Sequence, residues 1–122
     1  MGRITGPAFA EAAAQVSVPC IAILQAGQIN TGAFDDFAGI MPIARGLGAW
    51  VHVDGAFGLW ARATPGKRGL TDGIDEAHSW ATDGHKWLQT PYDCGYAIIR
   101  DQEAHRRAMT IAASLPAADH RR

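Results

Sequence analysis

Apolar residues in this chain gather in short runs separated by polar, glycine-bearing loops, and between two of those runs they recur at helical spacing. The first run, residues 16–25 (VSVPCIAILQ), is bounded by Gly27. A run apolar at successive positions suits a strand buried on both faces, as in a parallel sheet covered by helices on both sides. Pro19 has no amide donor, so it belongs near the start of that strand. The alanine-rich residues 9–15 ahead of it read as the end of a helix. After the polar loop Gly27-Gln28-Ile29-Asn30-Thr31-Gly32, the residues Phe34, Phe37, Ile40, Met41 and Ala44 follow a helical period. Asp35 is the expected N-cap of this helix, Pro42 should kink or split it, and Gly46 and Gly48 should end it. Residues 49–54 (AWVHVD) read as a second strand. Strand, helix and strand within roughly forty residues make a βαβ unit and hence a mainly parallel sheet.

From Gly55 to Gly73 the chain is too rich in glycine for a long element. A short helix over residues 74–77, a strand over 79–82, the turn Asp83-Gly84-His85-Lys86 and a strand over 94–100 are expected next. Asp101 should cap a last helix, with Glu103 in its first turn complementing the helix dipole. The predicted class is α/β: three or four strands, mainly parallel, with flanking helices. Long apolar strands without edge protection, in so small a sheet, point to part of a wider one.

Composition narrows the class further. The 122 residues suffice for one compact domain and not two. Eleven Lys and Arg balance twelve Asp and Glu, and 48% of residues are hydrophobic, which argues against a disordered tail or a nucleic-acid binder. The N-terminus lacks the apolar core of a secretory leader, and no stretch approaches the roughly 18 apolar residues of a membrane span, so a cytoplasmic protein is expected. Cys20 and Cys94 are expected as two buried free thiols, since no C-x-x-C pair is present. His78, His105 and His120 are expected at the surface. Trp50, Trp60, Trp80 and Trp87 are expected as core and interface aromatics.

The informative chemistry is a carboxylate at a strand end followed by a lysine at a later turn. Asp54 closes the strand Trp50-Val51-His52-Val53, and Lys86 follows in Asp83-Gly84-His85-Lys86-Trp87. Ligands of open α/β sheets bind at such strand ends. A carboxylate there can pair with a protonated pyridine nitrogen, and a lysine in the same crevice can form a Schiff base with an aldehyde. Spacing alone also admits a structural or helix-capping Asp54 and a solvated Lys86. His52, two residues before Asp54, points to the same sheet face, where it can bond to the carboxylate or simply pack. A zinc site from His52, Asp54 and His85 has no short ligand pair to support it, so no metal is expected. Phe57 reads equally as core packing or as a residue of a cofactor loop or substrate channel.

Three segments occur in a particular order: Gly27-Gln28-Ile29-Asn30-Thr31-Gly32-Ala33-Phe34-Asp35, then Val51-His52-Val53-Asp54-Gly55-Ala56-Phe57-Gly58, then Asp83-Gly84-His85-Lys86-Trp87-Leu88 with Pro91-Tyr92-Asp93-Cys94-Gly95. In this order the chain resembles the group II pyridoxal-phosphate (PLP)-dependent amino-acid decarboxylases, which include the glutamate and aromatic-amino-acid enzymes. The resemblance spans residues 16–115 and only the middle of a family member. It implies the large domain of the fold-type-I PLP-dependent transferases, present in part over 1–122.

By that resemblance Lys86 matches the lysine that carries the cofactor and Asp54 the partner of the pyridine nitrogen. Ala56 matches the small residue against the ring face, while His85 and Ser79 match positions near the phosphate. Asn30 or Thr31 matches a contact to the ring oxygen. The family's cofactor, pyridoxal 5'-phosphate, a small amino-acid substrate and a homodimer with its active site at the subunit boundary are implied likewise. Two departures stand out: Gly27-Gln28-Ile29 where relatives often carry Gly-Thr-Thr or Gly-Thr-Val, and Gly84 where many carry Ala or Pro. The resemblance also implies an N-terminal phosphate loop with a ring-stacking histidine, and a C-terminal mobile loop and small domain, all outside this sequence; residues 110–116 stop short of the latter. Two other readings stay open, another fold-type-I PLP enzyme (an aminotransferase or a carbon–carbon or carbon–sulfur lyase) and a truncated, non-catalytic remnant.

Overall fold

The computed structural model describes residues 2–110, so the expectations for residues 111–116 and for His120 lie outside the described residues. Four strands form one sheet in the order β1 (Ile21–Gln25), β2 (Trp50–Asp54), β3 (Ser79–Asp83) and β4 (Gly95–Ile99). The first three run parallel and β4 returns antiparallel to β3. The helices are α1 (Gly6–Ala13), α2 (Phe37–Leu47), the single turn α3 (Gly84–Trp87) and α4 (Gln102–Met109). Short 3-10 turns at Leu59–Ala63, Arg68–Thr71 and Ile74–Glu76 carry the chain from β2 to β3.

The apolar stripe of α2, Phe37, Ile40, Met41 and Ala44, packs against Leu24 of β1 and Val51 and Val53 of β2, with Ile74 and Ala77 closing the core. Each of these side chains is essentially removed from water. α1 lies on α2, where Gly6 permits the approach: a Cβ on it would meet the Gly39 carbonyl oxygen at 3.3 Å.

Several expectations change. Asp36, not Asp35, caps α2, accepting from the Gly39 amide at 3.2 Å. Asp35 is buried and joins two segments, accepting from the Ile4 amide at 2.6 Å and the Gln25 amide at 2.7 Å. Pro42 does not split α2, which runs unbroken from Phe37 to Leu47. Pro42 and Ala38 both face solvent, so water can satisfy the carbonyl that the missing amide leaves free. Gly46 is helical, and Gly48 alone ends the helix, at φ 71°. The first strand begins only after Pro19, and Val16 and Val18 lie exposed ahead of it. β1 is not covered on both faces: Ile21 and Ile23 are 68% and 65% exposed. Cys20 and Cys94 are free but half-buried rather than buried. His78 is not a free surface group; it stacks on Trp50 and accepts the Val51 amide at 2.9 Å.

Candidate functional site at the strand ends

Asp54 is the last residue of β2, level with Gln25 on β1 and Ala81 on β3. Val51 and Val53 point into the core, so alternation turns Trp50, His52 and Asp54 to the opposite face. Ala81 sits beside Asp54, and Asp83 lies two residues on, so Asp83 shares that face. The Asp54 carboxylate accepts from the Ala56 amide at 3.1 Å through Oδ1. Among the described residues its other oxygen takes no hydrogen bond.

The loops that follow β1 and β2 are locked together by glycines. A Cβ on Gly58 would stand 2.5 Å from the Ala26 carbonyl oxygen, and Gly27 adopts φ 80° against it. Gly55 donates to the Ala81 carbonyl at 2.8 Å, and the buried Thr82 hydroxyl donates to the Gly55 carbonyl at 3.1 Å. These contacts hold Phe57 beside Gln28, where a cavity of about 220 Å³ is lined by both, with Ile29, Phe34 and Trp87.

Lys86 lies on α3, directly after β3. Its Nζ is 2.7 Å from Asp83 Oδ2 and 3.8 Å from the centre of the Phe57 ring. The hydrogen bond from Lys86 holds the Asp83 carboxyl below its usual range, with the charges of Lys86 and His85 acting in the same sense. His85 Nδ1 faces the Cys94 backbone, 3.1 Å from its amide and 3.0 Å from its carbonyl oxygen, and Nε2 faces Asp83 at 3.7 Å. The Tyr92 ring meets His85 edge-on at 4.5 Å.

The remaining expected residues are placed differently. Ser79 opens β3, at the end of the strand away from Lys86, and its hydroxyl accepts the Trp50 indole N–H at 2.9 Å with His52 Nδ1 at 2.8 Å. Asn30 and Thr31 are exposed, and both of their amides donate to Gln28 Oε1 at 2.8 Å. Gln28 therefore folds this loop and also borders the cavity. The sequence alone suggests no role for Asp83 or the Cys94 backbone, and includes Gln28 only within the loop expected to reach the ring oxygen. The spacing of Asp83 and Lys86, one helical turn apart, was the available signal for the first. Among the described residues no three His, Cys, Asp or Glu side chains are grouped as metal ligands are, and no helix is long and apolar enough to cross a membrane.

Comparison with known proteins gives a consistent picture. The profile of the pyridoxal-dependent decarboxylase conserved domain matches residues 7–117. The chain is 32% identical over 95 residues to tyrosine/DOPA decarboxylase 5 of Papaver somniferum, covering 78% of this chain and 18% of that protein. It is 32% identical to L-2,4-diaminobutyrate decarboxylase of Rhizobium meliloti, covering 83% of this chain and 21% of the relative. Among solved structures, mouse CSAD in its apo form superposes with a TM-score of 0.74 at 33% identity, over 82% of this chain and 22% of that one. Oryza sativa TDC with PLP and tryptamine superposes with a TM-score of 0.79 at 27% identity, over 89% of this chain and 23% of the rice protein. The chain thus spans about a fifth of the length of the relatives it matches.

Proposed function

Because this chain belongs to the pyridoxal-dependent decarboxylase family, we propose that it is the central large-domain segment of a PLP-dependent carboxy-lyase acting on an amino acid. Lys86 attaches the cofactor, Asp54 pairs with its ring nitrogen, Ala56 lies against the ring and His85 stands toward the phosphate. The observation that carries this reading is topological. Asp54 and Asp83 end adjacent parallel strands on one sheet face, and Asp83 holds the Lys86 ammonium there.

The donor set fits the cofactor's ring and aldehyde. Lys86 offers a primary amine on a single helical turn. Asp54 has one oxygen satisfied by Ala56 and one left to accept the ring N–H. When bound, pyridoxal phosphate supplies a cationic ring that takes up the electron pair left behind as carbon dioxide departs. Asp54 would keep the proton on the ring nitrogen, Lys86 Nζ is the attacking amine, and Phe57 and Trp87 line the adjoining cavity. The full-length protein is read as a cytoplasmic homodimer acting on a small amino acid. Asn30 and Thr31 serve the ring oxygen only through the loop that Gln28 organises. Ser79, occupied by Trp50 and His52, acts on the pocket by fixing β3 against β2.

Exposure of Ile21 and Ile23 favours a second reading for the isolated chain, that it carries the attachment residues without a closed pocket. One experiment separates the two. The chain is incubated with PLP, reduced with borohydride and mapped by mass spectrometry. A pyridoxyl group on Lys86, absent in Lys86→Arg and weakened in Asp54→Ala, is the expected result. Equal labelling of Lys67 and Lys86 would establish the second reading instead.

A further inference from the structure

We propose that Asp83 is a positioning residue for Lys86, a counter-ion that aims the side chain over Phe57 and that the amine must leave before it can attack a carbonyl. This deepens the assignment of Lys86 as the attachment residue and rests on it. Lys86 Nζ lies 2.7 Å from Asp83 Oδ2, and the two side chains are only 26% and 27% exposed, so the pair is sheltered on most sides. The Phe57 ring, 3.8 Å from Nζ, attracts the ammonium form and offers nothing to the free amine. His85 faces the same carboxylate at 3.7 Å through Nε2, so a protonated His85 would compete with Lys86 for it. Asp93 and the Cys94 thiol lie beyond Asp83 on the β4 side.

An ammonium has no lone pair. To attack an aldehyde, Nζ must release a proton to solvent; the freed pair forms the new C–N bond and the carbonyl oxygen leaves as water. Asp83 and Phe57 both favour the form that cannot react. They hold the nitrogen in a fixed place until an incoming carbonyl displaces it, trading speed of attachment for direction.

The chain's two lysines make this measurable without cofactor. Lys67 is exposed and serves as internal reference. Competitive acetylation with a trace of acetic anhydride, read by peptide mass spectrometry, gives the ratio of Lys86 to Lys67 reactivity at neutral pH. Asp83→Asn is expected to raise that ratio about two- to fivefold, the range of a partly exposed ion pair. Asp83→Glu, which keeps the carboxylate, is expected to stay near the wild-type ratio. Raising the salt from about 0.02 M to about 0.5 M should lift the wild-type ratio toward that of Asp83→Asn and leave the latter unchanged. An unchanged ratio in Asp83→Asn overturns the proposal. An equal rise in the Asn and Glu variants overturns it as well, since lost packing would then be the cause. Acetylation involves no PLP, so failure of Lys86 to take up the cofactor would sink the attachment reading alone.

Discussion

The backbone of Gly58 passes so close to Ala26 that a single methyl group on it would lie 2.5 Å from the Ala26 carbonyl oxygen. The atom it would strike is backbone, which cannot rotate away. Gly58→Ala is therefore expected to destabilise the chain by about 1–3 kcal/mol. It should also part the two loops that hold Phe57 beside Gln28. Urea unfolding would read the first effect, and loss of selective pyridoxyl labelling at Lys86 the second.

Asp35 is the buried tie between the N-terminal segment and β1. Asp35→Ala leaves the Ile4 and Gln25 amides without their acceptor, at about 1–3 kcal/mol for each donor that water cannot reach. Asp35→Asn keeps one acceptor oxygen and should lose less. If both substitutions shift the urea midpoint equally, the tie contributes through its charge and not through its two hydrogen bonds.

Acid should weaken the fold in a defined window. The Ala104 and Glu103 amides hold the Asp101 carboxyl below its ordinary range, and Lys86 does the same for Asp83. A carboxyl whose pKa is lower folded than unfolded contributes stability that is complete above the unfolded value and lost as pH falls through the folded one. Helicity followed by circular dichroism should thus be flat from neutral pH to about pH 5 and decline below about pH 4. Asp101→Asn keeps a capping oxygen that does not titrate, so its decline should be shallower. A decline as steep as wild type would show that Asp101 is not one of the groups responsible.

Asp54→Asn should leave the fold intact, since the Ala56 amide still finds an acceptor. It removes the charge that would face the ring nitrogen. Loss of a charge-assisted hydrogen bond predicts PLP retention weaker by about ten- to hundredfold in the full-length enzyme, and a slower reaction. Absorbance of the bound cofactor during dialysis measures the retention directly.

The exposed pair Ile21 and Ile23 predicts self-association of the isolated chain. Replacing both with lysine should shift sedimentation toward monomer and leave the α2 core unaltered. If association persists, it runs through the free edges of the sheet.

Much of this arrangement was legible in the sequence. Asp54 could be read as the last residue of its strand, on one face with His52, and Asp101 announced its helix by the cap it forms. What escaped was decided by tertiary contacts. Two adjacent aspartates both suit an N-cap, and only the arrival of Ile4 beside Gln25 recruits Asp35 elsewhere. Pro42 suggests a kink or a split in α2, but its place on the solvent side lets the helix run on. Asp83 looked like part of a turn; its role emerges only because α3 brings Lys86 back over it while the glycine-locked loop supplies Phe57. The half-open sheet was hidden too, because a strand apolar on both faces reads the same whether or not anything covers it.

The return of β4 alongside β3 has a kinetic consequence. Gly84 donates to the Cys94 carbonyl at 2.8 Å and Asp83 pairs with Gly95, so the lysine-bearing turn is closed by partners a short loop away. Pairing β1 with β2 instead requires α2 to form and cross over first. Short closures are quick and crossovers slow, so the hairpin that carries Lys86 should be ordered before the strand that carries Asp54 is docked beside it. A complete chain refolding from denaturant would then present its amine early and acquire the matching carboxylate last, making the pairing of β2 with β3 the event that assembles the site.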